Sequence, residues 1–499
     1  MKIAVFADLH LTDNFKTVKC AVLGWALEEV RRRKVDLICL IGDLTAQGTV
    51  RQTERILELF RKNGIPFCST PGNAELRIGG IEAEKQFDIP PPDSAKIILV
   101  NTARNEPAEP ELSRLAALPH GAGFLLATHN PVRNWSENAR KAVSDAMKRG
   151  AVSAVIAGHS HHDEPEILRG LDPDKASGGP PMFPLMCDDS GSWIRQDCVM
   201  PGVDPSEWGA EKRAALRGRF GISDMREPLE CLDFAVRNRV PHVELRSMLE
   251  YSDSLNAAVV RWREQGGKTL SLHLPNLTPD DDGGALRQSA ELAVRLGCDR
   301  VTLHVPKVTA SGYPAAKDRL LARFGTELAV LLEYQLTIGI ENLHTTPEAR
   351  TDDLRNFGCT IGECREWVEL LRKEFSTDRI GFHMDIGHAR NNAPFSAREN
   401  LSDWYCELGC MVNGWHFHQV TQENGGFRNH KNLSGFYEKL ISLGGWLMAE
   451  RAGQLTDAPV FLEIRTFAGC RESWLRLTEI LKEIQPTRFP VAGKRGHSS

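Results

Sequence analysis

Strand-length hydrophobic runs alternate with helix-length amphipathic stretches through the first 155 residues. Apolar runs occur at 3–7, 37–41 and 124–127, and helical patterns occupy 17–33 and 136–149. This alternation is typical of a layered α/β domain, in which buried strands lead into loops. Because α/β proteins place their chemistry on loops at strand ends, the residues that follow each apolar run are the first candidates for a site.

The regular pattern breaks at residues 171–184, where Asp-Pro, Gly-Gly and Pro-Pro steps oppose regular structure. A turn signal at 200–202 follows, so the domain boundary is expected between 172 and 215. We predict a first domain at 1–200, a linker at 201–215, a second domain at 216–485 and a solvated tail at 486–499.

Eight further apolar runs follow the break, with mostly helical patterns between them. They lie near 218–223, 241–246, 269–274, 300–305, 336–341, 380–385, 412–418 and 459–465. Eight βα units over about 270 residues match a (β/α)8 barrel, whose active groups gather at the carboxyl ends of the strands. The predicted fold class is therefore α/β, with two domains.

Composition narrows the class of protein. A chain of 499 residues exceeds what one core usually supports, and a net charge of -5 gives no general attraction to nucleic acid, which leaves small anionic substrates. The twelve cysteines are scattered singly, as in a reducing compartment. With no run of membrane-spanning length and no room for a leader before Asp8, we expect a cytoplasmic protein without a membrane partner.

Five short polar segments run in order through the first third of the chain, most of them directly after an apolar run. They are Asp8-Leu9-His10, Gly42-Asp43, Gly72-Asn73-Ala74-Glu75, Thr128-His129-Asn130 and Gly158-His159-Ser160-His161. Each alone could be a helix cap or a turn, but the ordered set supplies the bridging carboxylate and the mixed nitrogen and oxygen ligands that two close divalent ions require.

The segments divide into two groups of ligands for two divalent metal ions. Asp43 is the predicted bridge; Asp8, His10 and His161 would hold one ion, and Asn73, His129 and His159 the other. Without thiolates, such a set suits manganese, iron or zinc. Asp43, Asn73 and His129 are also the predicted catalytic residues of this domain, whereas Glu75 is expected to orient a ligand.

The order of these segments resembles the calcineurin-like metallophosphoesterase family, whose pattern is DxH, GD, GNH[DE], H and GHxH. The resemblance spans residues 1–200 and implies a four-layered α/β/β/α sandwich that hydrolyses phosphomonoesters, phosphodiesters or nucleic acids with two metals. Ala74 replaces the family's usual histidine, which protonates the leaving group or steadies the phosphate, and some members lacking it are phosphodiesterases. We therefore predict a phosphodiester or activated ester, with His162 or a barrel residue as possible substitutes.

Metal-ligand side chains also end several of the predicted barrel strands. They are His273, His304, Glu341, Asp385, His416 or His418, and Glu463. Two glutamates, one aspartate and one histidine can hold a single manganese, zinc or cobalt ion and leave positions for a sugar's oxygens.

Four segments around these residues resemble the xylose isomerase-like, or AP endonuclease family 2, TIM barrels. They are Ile340-Glu341-Asn342, Met384-Asp385-Ile386-Gly387-His388, Trp415-His416-Phe417-His418 and Leu462-Glu463-Ile464-Arg465. The resemblance covers 216–485 and implies that Glu341, Asp385, His416 and Glu463 hold one metal. His388, the predicted catalytic residue of this half, would contact substrate. The family includes sugar isomerases, epimerases, dehydratases and a three-zinc abasic-site endonuclease.

His273 and His304 match histidines that bind extra zinc in the endonuclease branch. Arg428, however, stands where that pattern has an aspartate, so we expect at most one barrel metal. Arg428 could bind a phosphate or be a solvated loop residue. His242, His344 and His383 are expected to be structural.

The leading hypothesis is a metal-dependent phosphodiesterase that acts on a sugar-phosphate or nucleotide-like ester through a two-metal-activated water. The barrel would bind the sugar part or isomerise or epimerise it, which makes the protein potentially bifunctional. The alternatives are a DNA-processing nuclease, a sugar isomerase or epimerase with an auxiliary phosphoesterase domain, and a non-catalytic binding protein. A continuous basic groove across both sites would favour the nuclease.

Overall fold

The computed structural model describes residues 1–175, 177–189, 192–224, 226–246, 249–280, 284–345, 351, 354–392, 395–423 and 426–482. The described residues form strands and helices in two groups, and the predicted tail at 486–499 lies outside them.

The first group contains eight strands and five helices. Its strands are β1 (Lys2–Phe6), β2 (Leu37–Ile41), β3 (Phe67–Thr70), β4 (Ile97–Val100), β5 (Phe124–Thr128), β6 (Val152–Ala157), β7 (Met182–Asp189) and β8 (Ser192–Val199). Its helices are α1 (Val18–Arg32), α2 (Val50–Asn63), α3 (Gly80–Phe87), α4 (Glu109–Ala116) and α5 (Glu137–Lys148).

These strands form two sheets that face each other across an apolar core. One sheet has the order β3-β2-β1-β7-β8 and the other the order β4-β5-β6. Along β1, Ile3 and Val5 point into the core between the sheets, whereas Ala4 and Phe6 pack with α1 and α2 on the outer face. Helices α4 and α5 cover the second sheet. The layers are therefore α/β/β/α, as predicted.

Local sequence signals explain where the helices begin and end. The Thr49 side chain accepts a hydrogen bond from the N–H of Gln52 at the start of α2, and Gly64, whose φ of 77° is left-handed, caps the C-terminus of α2. The irregular stretch predicted at 171–184 is partly wrong, because β7 begins at Met182. Pro184 fits there because a proline φ is compatible with extended backbone.

The second group contains the remaining ten strands. They are β9 (Phe220–Ser223), β10 (His242–Arg246), β11 (Thr269–His273), β12 (Arg300–His304), β13 (Thr337–Glu341), β14 (Ile380–Asp385), β15 (Val412–Phe417), β16 (Gln419–Glu423), β17 (Gly426–Lys431) and β18 (Val460–Leu462).

Its helices lie between and after these strands. They are α6 (Ala210–Arg217), α7 (Pro228–Asn238), α8 (Asp253–Glu264), α9 (Gly284–Arg295), α10 (Tyr313–Glu333), α11 (Ile361–Phe375), α12 (Ile386–Arg390), α13 (Phe395–Arg398), α14 (Leu401–Leu408), α15 (Leu443–Arg451) and α16 (Phe467–Leu481).

Eight of these strands close a parallel barrel in the order β10-β11-β12-β13-β14-β15-β18-β9. Each overlaps one of the eight predicted apolar runs, which confirms the barrel prediction. Register places His304 beside Glu341 and Asp385 beside His416, so the polar strand ends meet at one rim. The antiparallel hairpin β16–β17 was not predicted.

The two domains meet through buried polar contacts. The Asp174 carboxylate accepts hydrogen bonds from the N–H (3.1 Å) and Oγ (2.8 Å) of Ser402 in α14. Asn400, which caps the same helix, donates its amide to the carbonyl of His10 at 2.9 Å. The barrel therefore touches the backbone of a predicted metal ligand in the other domain.

Candidate metal centres

Three predicted ligands of the first domain form one buried group at the ends of β1 and β6. Asp8, His10 and His161 bring one ligand atom each into a set whose members lie within 4.8 Å of one another. The Nε2 atoms of His10 and His161 face each other at 3.2 Å. Two imidazole nitrogens aimed at one point, with a carboxylate beside them, are the donor set of a divalent transition metal.

The other predicted ligands of this domain form a second group beside the first. The Oδ1 of Asn73 lies 3.1 Å from His129 Nε2 and 2.9 Å from His159 Nδ1, and the two ring nitrogens are 3.2 Å apart. His129 donates its Nδ1–H to the carbonyl of Ile41, so its Nε2 faces the group. The residues therefore fit a metal ion here as well.

Asp43 lies between the two groups. Its Oδ2 is 3.7 Å from His10 Nε2, and its Oδ1 is 3.4 Å from His129 Nε2. Each oxygen of one carboxylate thus faces a histidine of a different group. This is the placement expected of a carboxylate shared by two ions.

Glu75 is buried and holds the loops that carry Asp43 and Asn73. Its carboxylate accepts hydrogen bonds from the N–H groups of Asp43 (2.8 Å), Gly72 (2.8 Å) and Thr45 (2.9 Å), and from the Thr45 hydroxyl (2.8 Å). The loops touch closely, since a Cβ on Gly42 would lie 2.5 Å from the Gly72 Cα. Glycine and glutamate therefore set the spacing between the two ligand loops.

Backbone strain concentrates at the predicted ligands. Eleven described non-glycine residues have positive φ, and five of them are predicted ligands of the first domain, with φ of 50–71°. They are Asp8, His10, Asp43, His159 and His161. Left-handed backbone is costly for such residues and recurs at functional sites, where the surrounding fold holds it in place.

Burial and neighbouring charges set the pKa values of this cluster. Burial raises the pKa of the Asp8 carboxyl to about 8. Burial alone would lower the pKa of His129, but the nearby Asp43 carboxylate raises it to about 9. The pKa values of His10 and His161 lie well below the usual value because both rings are buried. Their imidazoles are neutral near pH 7, the form that binds metals.

The residue suggested as a substitute for the missing histidine at Ala74 is engaged elsewhere. His162 places Nε2 2.6 Å from Glu164 and Nδ1 3.1 Å from the carbonyl of Ser160. Ala74 itself contributes only its backbone to the cluster, since its N–H donates to Asp43 Oδ1 at 2.7 Å.

In the barrel, Glu341 lies at the centre of the predicted ligands. Its Oε2 is 3.0 Å from His273 Nε2, and its Oε1 is 3.1 Å from His416 Nδ1 and 3.4 Å from His304 Nε2. His273 donates its Nδ1–H to the carbonyl of Leu274, which leaves the Nε2 lone pair toward Glu341. The rim histidines of β11 and β12 are thus brought to the same carboxylate.

Asp385 and Glu463 face a second group of histidines. Asp385, His418, His430 and Glu463 form one set of potential ligands, and His388 joins His418 and His430 in another. His388 donates its Nδ1–H to the carbonyl of Asn342 at 3.0 Å, so its Nε2 is left for substrate or metal. Glu463 Oε1 pairs with Arg246, whereas its Oε2 is buried without a hydrogen-bond partner among the described residues.

His418 is a positioning residue by its hydrogen bonds. The backbone N–H of His430 donates to its Nδ1 at 2.9 Å, so the ring proton of neutral His418 sits on Nε2. That nitrogen lies 3.0 Å from Asp385 Oδ1 and donates to it. His418 therefore orients Asp385.

The sequence reasoning missed Glu244, which orients His416 from inside the barrel. The Glu244 carboxylate accepts from the hydroxyls of Ser271 and Thr302, both at 2.9 Å, and lies 2.6 Å from His416 Nε2. With Nε2 held in this way, His416 presents Nδ1 to Glu341 and Glu463. The sequence feature that could have revealed Glu244 is a charged residue at an inward-facing position of the apolar strand β10.

The remaining barrel histidines and Arg428 have different roles. His383 receives a hydrogen bond from Arg300 and His242 donates to the carbonyl of Gly218, so both are held in place by the fold, although His383 also forms a potential ligand group with Glu244 and His416. His344 differs, because it lines the barrel cavity and its Nδ1 is buried without a partner among the described residues. Arg428 is exposed on β17.

A cavity of about 380 Å³ opens over these barrel residues. Its lining includes His304, His344, His388, His430 and Glu463, together with the cations Arg246 and Lys307. This volume suits a small molecule. The predicted substrate contact His388 and part of the predicted ligand set therefore face one small-molecule cavity.

Comparisons with known proteins agree with this two-part architecture. Residues 1–163 match the calcineurin-like phosphoesterase family, and residues 247–446 match the xylose isomerase-like TIM barrel family. The two matches lie in the parts of the chain where the motifs predicted these families, which confirms the resemblance drawn from the motifs. Among curated proteins, no match was found.

Solved structures of low identity resemble about half of the chain. A D-tagatose 3-epimerase-like protein is 19% identical with a TM-score of 0.40, covering 53% of this chain and 97% of its own. A xylose isomerase domain protein from Alicyclobacillus acidocaldarius is 16% identical with a TM-score of 0.39, covering 53% and 99%. Endonuclease IV from Thermus thermophilus is 15% identical with a TM-score of 0.36, covering 53% and 100%.

In the part of the chain that the structure describes, every helix is too short or too polar to cross a lipid bilayer.

Proposed function

We propose that the first domain is a metal-dependent phosphodiesterase that hydrolyses a small sugar-phosphate or nucleotide-like ester. The observation that carries this proposal is the placement of Asp43 between two groups of imidazole, amide and carboxylate donors, 3.7 Å from His10 and 3.4 Å from His129. Two divalent ions bound there, manganese, iron or zinc, would activate water and clamp the phosphoryl group.

The chain's own residues would bind and orient the metals and shape the choice of ester. Glu75 fixes the spacing of the Asp43 and Gly72 loops, and Ile41 fixes the ring of His129. Ala74 offers no proton to a leaving alkoxide, and general-acid help is typically worth about 10² to 10⁴-fold. We therefore propose that esters with good leaving groups are hydrolysed fastest.

In this proposal the barrel binds the organic part of the substrate or isomerises or epimerises its sugar. Glu341, Asp385, His416 and Glu463 would hold one manganese, zinc or cobalt ion, and His388 would contact the substrate. The cavity supports this role, since it suits a small molecule and is lined by His388, whose Nδ1 donates to the carbonyl of Asn342. A net charge of -5 supports a small phosphorylated partner over nucleic acid.

Hydrolysis of bis(p-nitrophenyl) phosphate with manganese tests the assignment of the reaction to the first domain. We expect the wild type to turn the diester over and Asp43→Asn to lose at least about 10²-fold in kcat/KM. Glu341→Gln, which removes a carboxylate from the barrel cluster, should retain activity. Loss in Glu341→Gln with activity retained in Asp43→Asn would assign hydrolysis to the barrel and contradict the proposal.

A further inference from the structure

A cleft between the two domains lies beside the first cluster of predicted ligands, Asp8, His10 and His161. It has a volume of about 340 Å³ and is lined by His10, Lys19, Arg77 and Lys175 from the first domain, and by Arg390 and Phe427 from the barrel, among others. This size is at the small end of pockets for small molecules. Because both domains supply walls, only the fused chain forms it.

Two of the cations in the cleft are balanced by buried carboxylates. Lys19 Nζ lies 3.0 Å from Asp172 and 3.5 Å from Asp174, and Lys175 Nζ lies 3.9 Å from Asp172. Two ammonium groups thus face two carboxylates. The other acidic residue of the lining, Glu399, accepts a hydrogen bond from the N–H of Ile361 at the start of α11.

Arg77 and Arg390 are not paired directly with a carboxylate in the described residues, although Asp172 and Asp174 act on Arg390 from a longer distance and tend to raise its pKa. Arg77 donates to the carbonyl of Ala46 at 2.8 Å, and Arg390 donates its Nε–H to the carbonyl of Leu440 at 3.1 Å. Within the described ranges, the ion pairs of Asp172 and Asp174 are with Lys19 and Lys175, and neither guanidinium has a carboxylate at ion-pair distance. Each therefore keeps N–H donors for an anion, and guanidinium groups suit phosphate and carboxylate oxygens.

The cations are also close enough to repel one another. Burial, and then the charge of Arg390, lowers the pKa of Lys175 to about 7. Burial also lowers the pKa of Arg390, and Arg77 adds to that effect. An anion bound among these three side chains would relieve the repulsion.

The cleft borders the first cluster and shares helix α12 with the barrel cavity. His10 belongs to the first cluster and also lines the cleft. On the other side, α12 carries His388 toward the barrel cavity and Arg390 into the cleft. A molecule with an anionic group in the cleft is therefore placed to reach the first cluster as well.

We propose that Arg77 and Arg390 together bind a second anionic group of the small phosphorylated substrate, a phosphate or carboxylate remote from the ester that reaches the first cluster. The inference rests on the proposed function for the identity of that substrate. It makes Arg390, a barrel residue, a specificity determinant of the phosphoesterase site. The substrate class becomes a small ester with at least two anionic groups.

Calorimetric binding of two probes in the presence of manganese tests this inference. Ethyl phosphate carries one phosphate, and ethylene glycol bisphosphate carries a second one on the same short chain. We expect the wild type to bind the bisphosphate about tenfold more tightly than ethyl phosphate. Arg77→Gln and Arg390→Gln should each bring this ratio close to unity, because each removes a charged donor from the second phosphate.

Arg261→Gln is the matched control, since Arg261 is exposed on α8 and should leave the ratio unchanged. Because Arg77 is exposed, Arg77→Gln is expected to fold even if Arg390→Gln does not. Far-UV circular dichroism checks the folding of both variants. A ratio near unity in the wild type, or an unchanged ratio in both cleft variants, overturns the inference. Turnover of bis(p-nitrophenyl) phosphate in the same samples tests the proposed function separately. Tighter binding of the bisphosphate without any turnover would contradict the proposed hydrolase activity but not the anion site.

Discussion

At the scale of single residues, hydrogen bonds decide which histidines can act as ligands. His129, His273 and His388 each donate Nδ1–H to a backbone carbonyl and keep Nε2 for the site. His418 receives an N–H at Nδ1 and therefore donates to Asp385. His129, His273 and His418 lie at strand ends and His388 lies on α12, so position in the sequence does not show which ring nitrogen each of them leaves for the site.

The substitution Ala74→His tests the role of the missing imidazole. An imidazole at this position would protonate leaving groups that now depend on water. We expect turnover of alkyl phosphodiesters to rise by up to about 10²-fold and turnover of p-nitrophenyl diesters to change little, because p-nitrophenolate leaves without a proton. Steady-state rates on both ester types measure this. Equal and large gains on both would contradict the explanation.

At the scale of elements, the sequence predicts those helices and strands that have a clear pattern of apolar residues. All eight barrel strands coincide with apolar runs, and α1 and α5 lie within the predicted helical stretches. The hairpin β16–β17 was missed because its residues are mostly polar and part-exposed, so no apolar period marks it. Its absence from the prediction also hid the environment of His430, which lies on β17.

His242 on β10 makes a pH-dependent contribution to the free energy of unfolding of the barrel. Its Nε2 donates to the carbonyl of Gly218, and burial lowers its pKa from 6.5 to about 4. Below pH 6.5 the unfolded chain binds a proton that the folded chain does not accept until about pH 4. The contribution of neutral His242 is therefore present above pH 6.5 and is lost as the pH falls toward 4.

Urea unfolding of the wild type and His242→Gln at pH 7 and pH 5 measures this contribution. At about 1.4 kcal/mol per pH unit, the wild type should lose roughly 2 kcal/mol more than the variant over this interval. The same loss in both proteins would show that His242 does not titrate as described.

At the scale of the whole molecule, the contacts that join the domains were not predictable. Arg77 and Arg390 lie far apart in sequence, and no periodicity relates them; they line one cleft only because the two domains pack together. The same holds for Asp174 with Ser402. The predicted ligand groups were accessible to sequence reasoning because each follows a strand, whereas the cleft depends on the relative placement of two folds.

The buried triad of Lys19, Asp172 and Asp174 is expected to stabilise the junction between the domains. Lys19 is 2% exposed, and the two carboxylates outweigh burial and raise its pKa. Lys19→Met would leave two neighbouring carboxylates without their cation, at a cost of about 3–5 kcal/mol in the free energy of unfolding. Lys62→Met, at an exposed helical pair with Glu58, is the control and should unfold like the wild type. Wild-type stability of Lys19→Met in urea unfolding would contradict this role.

The most direct test of the account is the metal content of Asp43→Asn beside that of the wild type and Glu341→Gln. Each protein is loaded with manganese, desalted and measured by mass spectrometry of the metal. Because Asp43 would be shared by both ions of the first domain, Asp43→Asn should hold about two fewer ions per chain than the wild type. Glu341→Gln should lose about one at most. A wild-type metal content in Asp43→Asn would contradict the two-metal site on which the proposed hydrolysis depends.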